Sequence, residues 1–173
     1  MNELEILPYF HILVTFYYLY PLIFSKNYFW DKIYLIIVLI VVLNWTLSNG
    51  ECFLSYVWKK YKNKDYEMGS NTLDLNDIKD IFPFVNESFV SVGFFIYMAF
   101  IFYLFQYTAN RSKILSFKIC ILFIISGIYI LLRESKFFNK KIHKSLKDYY
   151  IIYAMNIFTI LIITYSLYKV IRA

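Results

Sequence analysis

The stretch that decides the fold is Asn44-Trp45-Thr46-Leu47-Ser48-Asn49-Gly50-Glu51-Cys52-Phe53-Leu54-Ser55-Tyr56-Val57-Trp58-Lys59-Lys60. It begins inside a long apolar run and ends at a pair of lysines. At helical spacing its polar residues fall on one face, and these are Asn44, Ser48, Glu51, Cys52, Ser55 and Lys59. Lipid cannot satisfy hydrogen-bonding groups, so we expect this polar stripe to face protein or water.

The composition around that stretch is that of an integral membrane protein. Of the 173 residues, 60% are hydrophobic, 23% aromatic and 17% charged, whereas soluble domains average roughly 45–50% apolar and about 25% charged residues. The net charge of +6 is explained by lysines that flank membrane spans and meet anionic lipid head groups, without nucleic acid as a partner.

The apolar runs predict an all-α, polytopic membrane helix bundle that forms a single domain over residues 1–173. Five spans are predicted, at about residues 6–24, 33–58, 88–107, 114–132 and 149–168. The second is interpreted as one continuous helix, because its aliphatic part, Ile33–Leu43, is too short to cross. The alternative ends that helix at Ser48 and places Asn49-Gly50 in a turn. Lys118 interrupts the fourth span and must reach back to the near interface.

Two polar segments, 72–82 and 133–148, predict one or two short amphipathic helices on the membrane surface, the second of which is alternatively an extension of a span. Five spans put the termini on opposite sides. The N-terminal side then carries 11 of the 18 Lys and Arg residues and the other side seven, which favours a cytoplasmic N-terminus. The acidic start lacks the basic leader of a signal peptide.

The predicted topology brings several polar side chains to one depth. His11 and Glu51 would both lie about 8–10 Å below the same membrane surface. A pair between them would suit a proton relay or a general base, and the alternative is that both only hold helices together. Glu87 opens the third span on the same side. The candidate functional cluster is His11, Asn44, Ser48, Glu51, Cys52, Ser55 and Glu87.

The two cysteines, Cys52 and Cys120, show no metal-type or disulfide-type spacing. Because a neighbouring carboxylate raises the pKa of a thiol, Glu51 argues against Cys52 as a nucleophile and favours a packing residue or a lipidation site. No catalytic residue, cofactor or metal site is predicted. Lipid head groups are expected to contact six lysines, namely Lys59, Lys60, Lys140, Lys141, Lys144 and Lys147.

The run Trp45-x-Leu47-x-Asn49-x-Glu51-Cys52-x-Leu54-Ser55-Tyr56, followed by Lys59-Lys60 and Tyr66-x-x-Gly69, resembles uncharacterised small multi-pass membrane proteins of large DNA viruses and other AT-rich genomes. The resemblance covers residues 45–69. That group carries no assigned activity, so the resemblance implies no function.

Three functions are compatible with these observations. The first is a non-enzymatic membrane protein that scaffolds or associates with other membrane proteins, which small loops without a catalytic motif favour. The second is a small transporter or channel lined by Asn44, Ser48, Glu51 and Ser55. The third is a membrane-embedded enzyme acting on lipid, with His11 and Glu51 as its acid and base.

Overall fold

The computed structural model describes residues 6–48, 51–70, 81, 87–134 and 146–173, and the side chains at the start of α5, the end of α6 and the start of α7 lie outside that description. In the described ranges the chain forms helices and no strands, which confirms the all-α prediction. The helices are α1 (Leu7–Tyr17), α2 (Tyr20–Ile23), α3 (Tyr28–Leu47), α4 (Phe53–Lys62), α5 (Glu87–Ser112), α6 (Phe117–Glu134) and α7 (Leu146–Arg172).

The first predicted span consists of two helices, α1 and α2, separated at Tyr18 and Leu19. Pro21 lies in the first turn of α2. Its ring supplies no N–H and clashes with the carbonyl group four residues earlier, so α1 cannot continue through it. The third, fourth and fifth predicted spans correspond to α5, α6 and α7. Lys118 is exposed in the first turn of α6, so it lies at a helix end.

The prediction of one continuous helix over residues 33–58 is wrong. The helix α3 ends at Leu47, Cys52 has extended backbone angles, and α4 begins at Phe53. Asn44 helps to start α4 at Phe53, because its Oδ1 accepts a hydrogen bond from the Phe53 backbone N–H at 3.1 Å. That contact satisfies one of the donors that every helix start leaves unpaired. Asn49 and Gly50, where a turn was the alternative, lie outside the described residues.

Helix α3 is the centre of the molecule and packs against α5, α6 and α7. Its buried face includes Tyr34, Leu35, Val38, Leu39 and Val42. Its first turns meet the end of α7, where Tyr28 Oη donates to the Ala173 carbonyl group and Lys32 Nζ donates to the Ile171 carbonyl group. The two helices are therefore antiparallel. Helix α1 packs against α4.

Two helical segments, Tyr28–Leu47 and Tyr153–Arg172, are long and apolar enough to cross a membrane by length and composition. Leu7–Tyr17 and Phe117–Tyr129 are apolar but shorter. The buried Thr159 Oγ1 has no hydrogen-bond partner among the described residues. Three other hydroxyl groups inside these helices are satisfied locally: Thr46 donates to the Val42 carbonyl group at 2.8 Å, and Ser126 and Ser166 each donate to the carbonyl group four residues earlier. Such bonding suits an apolar surrounding.

Helices α5 and α6 pack closely together at Gly127. A Cβ atom added there would lie 2.1 Å from the Phe102 ring. Phe102 is itself packed edge-on against Phe123, with ring centroids 5.6 Å apart. Glycine at this position lets the two helices come together, as small residues do in membrane helix pairs.

The predicted surface helices over residues 72–82 and 133–148 lie almost wholly outside the described residues. Their described parts are Ile81, the end of α6 and the start of α7. Helix α7 begins at Leu146, so the end of the second segment extends a long helix.

Candidate functional site

The break between α3 and α4 folds the polar residues of this region into two neighbouring clusters. Glu51 is the centre of the first. Its side chain is 1% exposed, and its Oε1 accepts hydrogen bonds from Lys59 Nζ at 2.8 Å and from Tyr66 Oη at 2.6 Å. Its Oε2 accepts the Gly69 backbone N–H at 2.8 Å. The Glu51 carboxylate therefore fastens the chain after α4 onto that helix.

Each partner of Glu51 is suited to donating. Lys59 is 4% exposed, so its positive charge lies inside the protein and requires the Glu51 carboxylate as counter-charge. Burial, followed by the hydrogen bond to Glu51, raises the pKa of the Tyr66 hydroxyl above its ordinary value, which keeps the proton on Tyr66. Gly69 has φ of 82°, a left-handed conformation that glycine adopts at little cost.

The second cluster joins α1 to the start of α4. His11 Nδ1 lies 3.5 Å from Ser55 Oγ, and which of the two donates depends on the imidazole tautomer. His11 also interacts with the Cys52 thiol. Cys52 is half-buried and Ser55 is buried. The structure thus brings an imidazole, a thiol and a hydroxyl together where a helix begins.

The prediction that Glu51 raises the pKa of Cys52 is wrong. Burial alone would raise that pKa, but the hydrogen bond and charge of His11, helped by the backbone N–H groups of Leu54 and Ser55, outweigh burial and lower it below its ordinary value. The charge of Glu51 is neutralised by Lys59. A thiol with a lowered pKa beside an imidazole is chemically able to act as a nucleophile.

The predicted cluster is therefore assembled in part. Asn44 and Ser48 hydrogen-bond each other at 3.4 Å, and Asn44 also caps α4. His11 and Glu51, which were predicted to pair, belong to different clusters. His11 lies beside Ser55, and Glu51 pairs with Lys59. Glu87 is the first residue of α5, and its side chain lies outside the described structure.

The predicted head-group lysines have different surroundings. Lys59 is buried in its ion pair with Glu51, so the prediction that it contacts lipid is wrong. Lys60 is exposed and donates to the Tyr66 carbonyl group at 3.0 Å. The side chains of Lys140, Lys141, Lys144 and Lys147 lie outside the described structure.

The sequence analysis missed a buried ion pair at the opposite end of the helices. Asp31 in the first turn of α3 is fully buried and is bound by two nitrogen atoms of Arg111, with Nε to Oδ2 at 3.0 Å. Tyr20 Oη donates to the same carboxylate at 3.2 Å. Arg111 Nη1 also donates to the carbonyl groups of Pro21 and Phe24. This centre ties α2, α3 and α5 together.

A signal for that pair exists in the sequence. Asp31 opens a predicted apolar span and Arg111 ends another, and the predicted alternating topology would put both at the same membrane face. Charges of opposite sign at one depth are candidates for pairing because each is costly alone. No protein family, curated protein or solved structure that we compared with the chain matches it.

Proposed function

We propose that this chain is a multi-pass integral membrane protein whose role is structural, as a component that associates with other membrane proteins. The observation that carries the proposal is the apolar outer surface. Every long helical segment turns large apolar side chains outward, with exposed fractions from 46% to 67% for Leu13, Ile40, Ile96, Ile125 and Leu161. Water disfavours so extensive an apolar surface, whereas lipid or a partner helix covers it at no cost.

The internal polar groups support a structural role. Asp31 is bound by Arg111 and Tyr20, and Glu51 by Lys59, Tyr66 and Gly69. Because the oxygen atoms of both carboxylates already accept hydrogen bonds within the protein, these groups fix the positions of helices and could bind a substrate only by giving up those bonds.

The channel hypothesis loses its geometric basis, because the polar stripe on which it depended is divided between two helices.

The proposal is tested by membrane extraction followed by sizing. We expect the protein to stay in the membrane fraction at alkaline pH and, after mild detergent extraction, to migrate as a complex larger than one chain. Chemical cross-linking before extraction should give the same size. A lone monomer under both conditions would contradict the associating role, and release at alkaline pH would contradict membrane integration.

A second candidate function, a membrane enzyme that transfers acyl groups from lipid, is favoured by one observation. The Cys52 thiol with a lowered pKa lies beside His11, whereas the predicted pairing of His11 with Glu51 is replaced by separate contacts. In such an enzyme His11 would take the Cys52 thiol proton, and the sulfur would attack an ester or thioester carbonyl carbon. The C–O or C–S bond to the leaving group would break, His11 would return the proton to the departing alcohol or thiol, and Cys52 would hold the acyl group as a thioester.

That candidate has its own test. The purified protein is mixed with a long-chain acyl thioester, and its mass is measured before and after treatment with hydroxylamine, which cleaves thioesters. The enzyme hypothesis expects an acyl adduct that Cys52→Ala abolishes and His11→Gln slows. Cys120→Ala is the control, since that thiol is fully buried. An adduct that never forms, or that survives Cys52→Ala, removes this function.

A further inference from the structure

The net charge of the protein is concentrated at one end. Residues 20–34, 104–120 and 160–173 contain seven of the 18 Lys and Arg residues but one of the 12 Asp and Glu residues, which is Asp31. Their net charge is +6, equal to that of the whole chain. The rest of the chain holds the other eleven residues of each sign, and its side-chain charges cancel.

The structure brings these three stretches together. Arg111 at the end of α5 contacts Asp31 in α3 and the Phe24 carbonyl group after α2. Lys32 bonds the Ile171 carbonyl group near the end of α7. We call this end of the molecule, where α3 and α6 begin and α2, α5 and α7 end, the cationic end.

The one carboxylate side chain of the cationic end does not reach its surface. Asp31 is fully buried, and Arg111 takes both of its oxygen atoms. The positive side chains that remain on the surface are exposed, and they are Lys26, Lys113, Lys118, Lys169 and Arg172. Together these side chains form a surface of one sign, drawn from the α2–α3 and α5–α6 connections, the start of α6 and the end of α7.

Aromatic side chains lie among these cations. Arg172 lies over the Tyr168 ring with 4.7 Å between its guanidinium carbon and the ring centroid, and Lys169 lies 5.6 Å from the Tyr165 centroid. At the start of α3 the exposed Phe29 and Trp30 rings pack edge to face. Aromatic rings beside Lys and Arg are typical of protein surfaces at the head-group level of a bilayer.

We propose that the cationic end is a binding surface for the head groups of anionic phospholipids. The inference rests on the proposed membrane function and names the lipid class that such a protein retains. Each exposed Lys or Arg near an anionic bilayer contributes roughly fivefold in binding. Zwitterionic lipids have no net charge and gain little from it. Retention in nanodiscs tests the charge of this surface itself, because both leaflets of a nanodisc have the same lipids.

The test measures retention of fluorescent phosphatidylserine and phosphatidylcholine by the whole purified protein in nanodiscs of phosphatidylcholine. The variant removes three surface cations at the cationic end, by Lys113→Gln, Lys169→Gln and Arg172→Gln. The matched control removes three cations elsewhere, by Lys62→Gln, Lys64→Gln and Lys79→Gln, which lie close to the carboxylates of Asp65, Asp77 and Asp80 in the sequence.

We expect the wild-type protein to prefer phosphatidylserine, and the cationic-end variant to lose at least about tenfold of that preference. The control should change by less than about twofold. High salt should weaken the phosphatidylserine preference of the wild type and of the control, and should change the cationic-end variant little. Equal losses in the two variants would overturn the inference. Displacement of the lipid by soluble glycerol phosphate would also overturn it, because the surface would then bind free anions.

The outcomes separate this inference from the proposed function. A protein that does not enter nanodiscs would contradict both the proposed membrane function and the lipid-binding surface. A protein that enters them but retains the two lipids equally keeps its membrane function and loses the lipid-binding surface.

Discussion

Glu51 and Lys59 are both buried, so the charge of each depends on the other. We expect Glu51→Gln to destabilise the protein by about 3 kcal/mol, since it leaves the Lys59 ammonium group without a counter-charge. The double variant Glu51→Gln with Lys59→Met should recover most of that loss, because it removes the unpaired charge while both variants change the hydrogen bonds of Tyr66 and Gly69 in the same way. Thermal unfolding in detergent measures both. A double variant no more stable than Glu51→Gln would show that the charges are not what Glu51 stabilises.

Cys52 yields a prediction of pH dependence. A lowered pKa means that the thiolate forms at lower pH than in an ordinary cysteine, so reaction with iodoacetamide should reach half its maximal rate below pH 9. His11→Gln removes the largest of the effects that lower the pKa, so the midpoint should move to higher pH. The measurement uses a Cys120→Ala background, so that Cys52 is the only thiol. Identical midpoints with and without His11 would contradict the contact.

The sequence identifies the polar residues of the site better than their partners. Ser48, Glu51 and Ser55 are buried, as the apolar context predicts. Their partners could not be predicted from a continuous helix, because residues 51 and 59 would then lie about 12 Å apart along its axis. The break before α4 allows Lys59 to reach Glu51, and helical periodicity does not encode such a break.

Between elements, the contact of α5 with α6 depends on Gly127. Gly127→Ala places a methyl group against the buried Phe102 ring, and we expect it to destabilise the protein by about 1–3 kcal/mol. Gly93→Ala in α5 is the matched control, since a Cβ there meets nothing within 4 Å. It should be neutral or stabilise by up to about 1 kcal/mol through helix propensity. Equal effects of the two substitutions would show that the helices do not touch at Gly127.

The buried ion pair of Asp31 and Arg111, which holds α2, α3 and α5 together, depends on the shape of the Arg111 side chain. Its guanidinium group binds both oxygen atoms of Asp31 and two backbone carbonyl groups at once. Lysine keeps the charge but cannot reproduce these bonds. We expect Arg111→Lys to cost about 2–4 kcal/mol, measured by thermal unfolding, while Lys113→Arg two residues later has no effect. An Arg111→Lys protein as stable as the wild type would contradict the role of this ion pair.

Helix existence is predictable here because apolar runs of sufficient length have few alternatives in a chain this hydrophobic. Pro21 also signals the end of α1, since proline interrupts backbone bonding. The relative placement of helices is not predictable in the same way. The contact at Gly127 joins α6 to Phe102 of α5, and nothing local to either helix indicates which ring the glycine accommodates.

The alternating direction of successive helices predicts the membrane topology of the whole molecule. Contacts place the starts of α3 and the ends of α5 and α7 at the cationic end. The chain alternates direction from α1–α2 through α3, α5, α6 and α7, so the termini should lie on opposite membrane faces. The count of 11 against seven Lys and Arg residues favours a cytoplasmic N-terminus.

The topology is measured with reporter tags that act on one face only. A tag at the N-terminus and one inserted at Asn63 after α4 should report the cytoplasm. Tags at Lys113, between α5 and α6, and at the C-terminus should report the opposite face. Both termini on one face would mean an even number of crossings. We would then suspect α6, because Lys118 shortens its uninterrupted apolar core and its 18 residues span about 27 Å, slightly less than the roughly 30 Å hydrocarbon core. The broken α1–α2 segment, with helices of 11 and four residues, would be the other element to test.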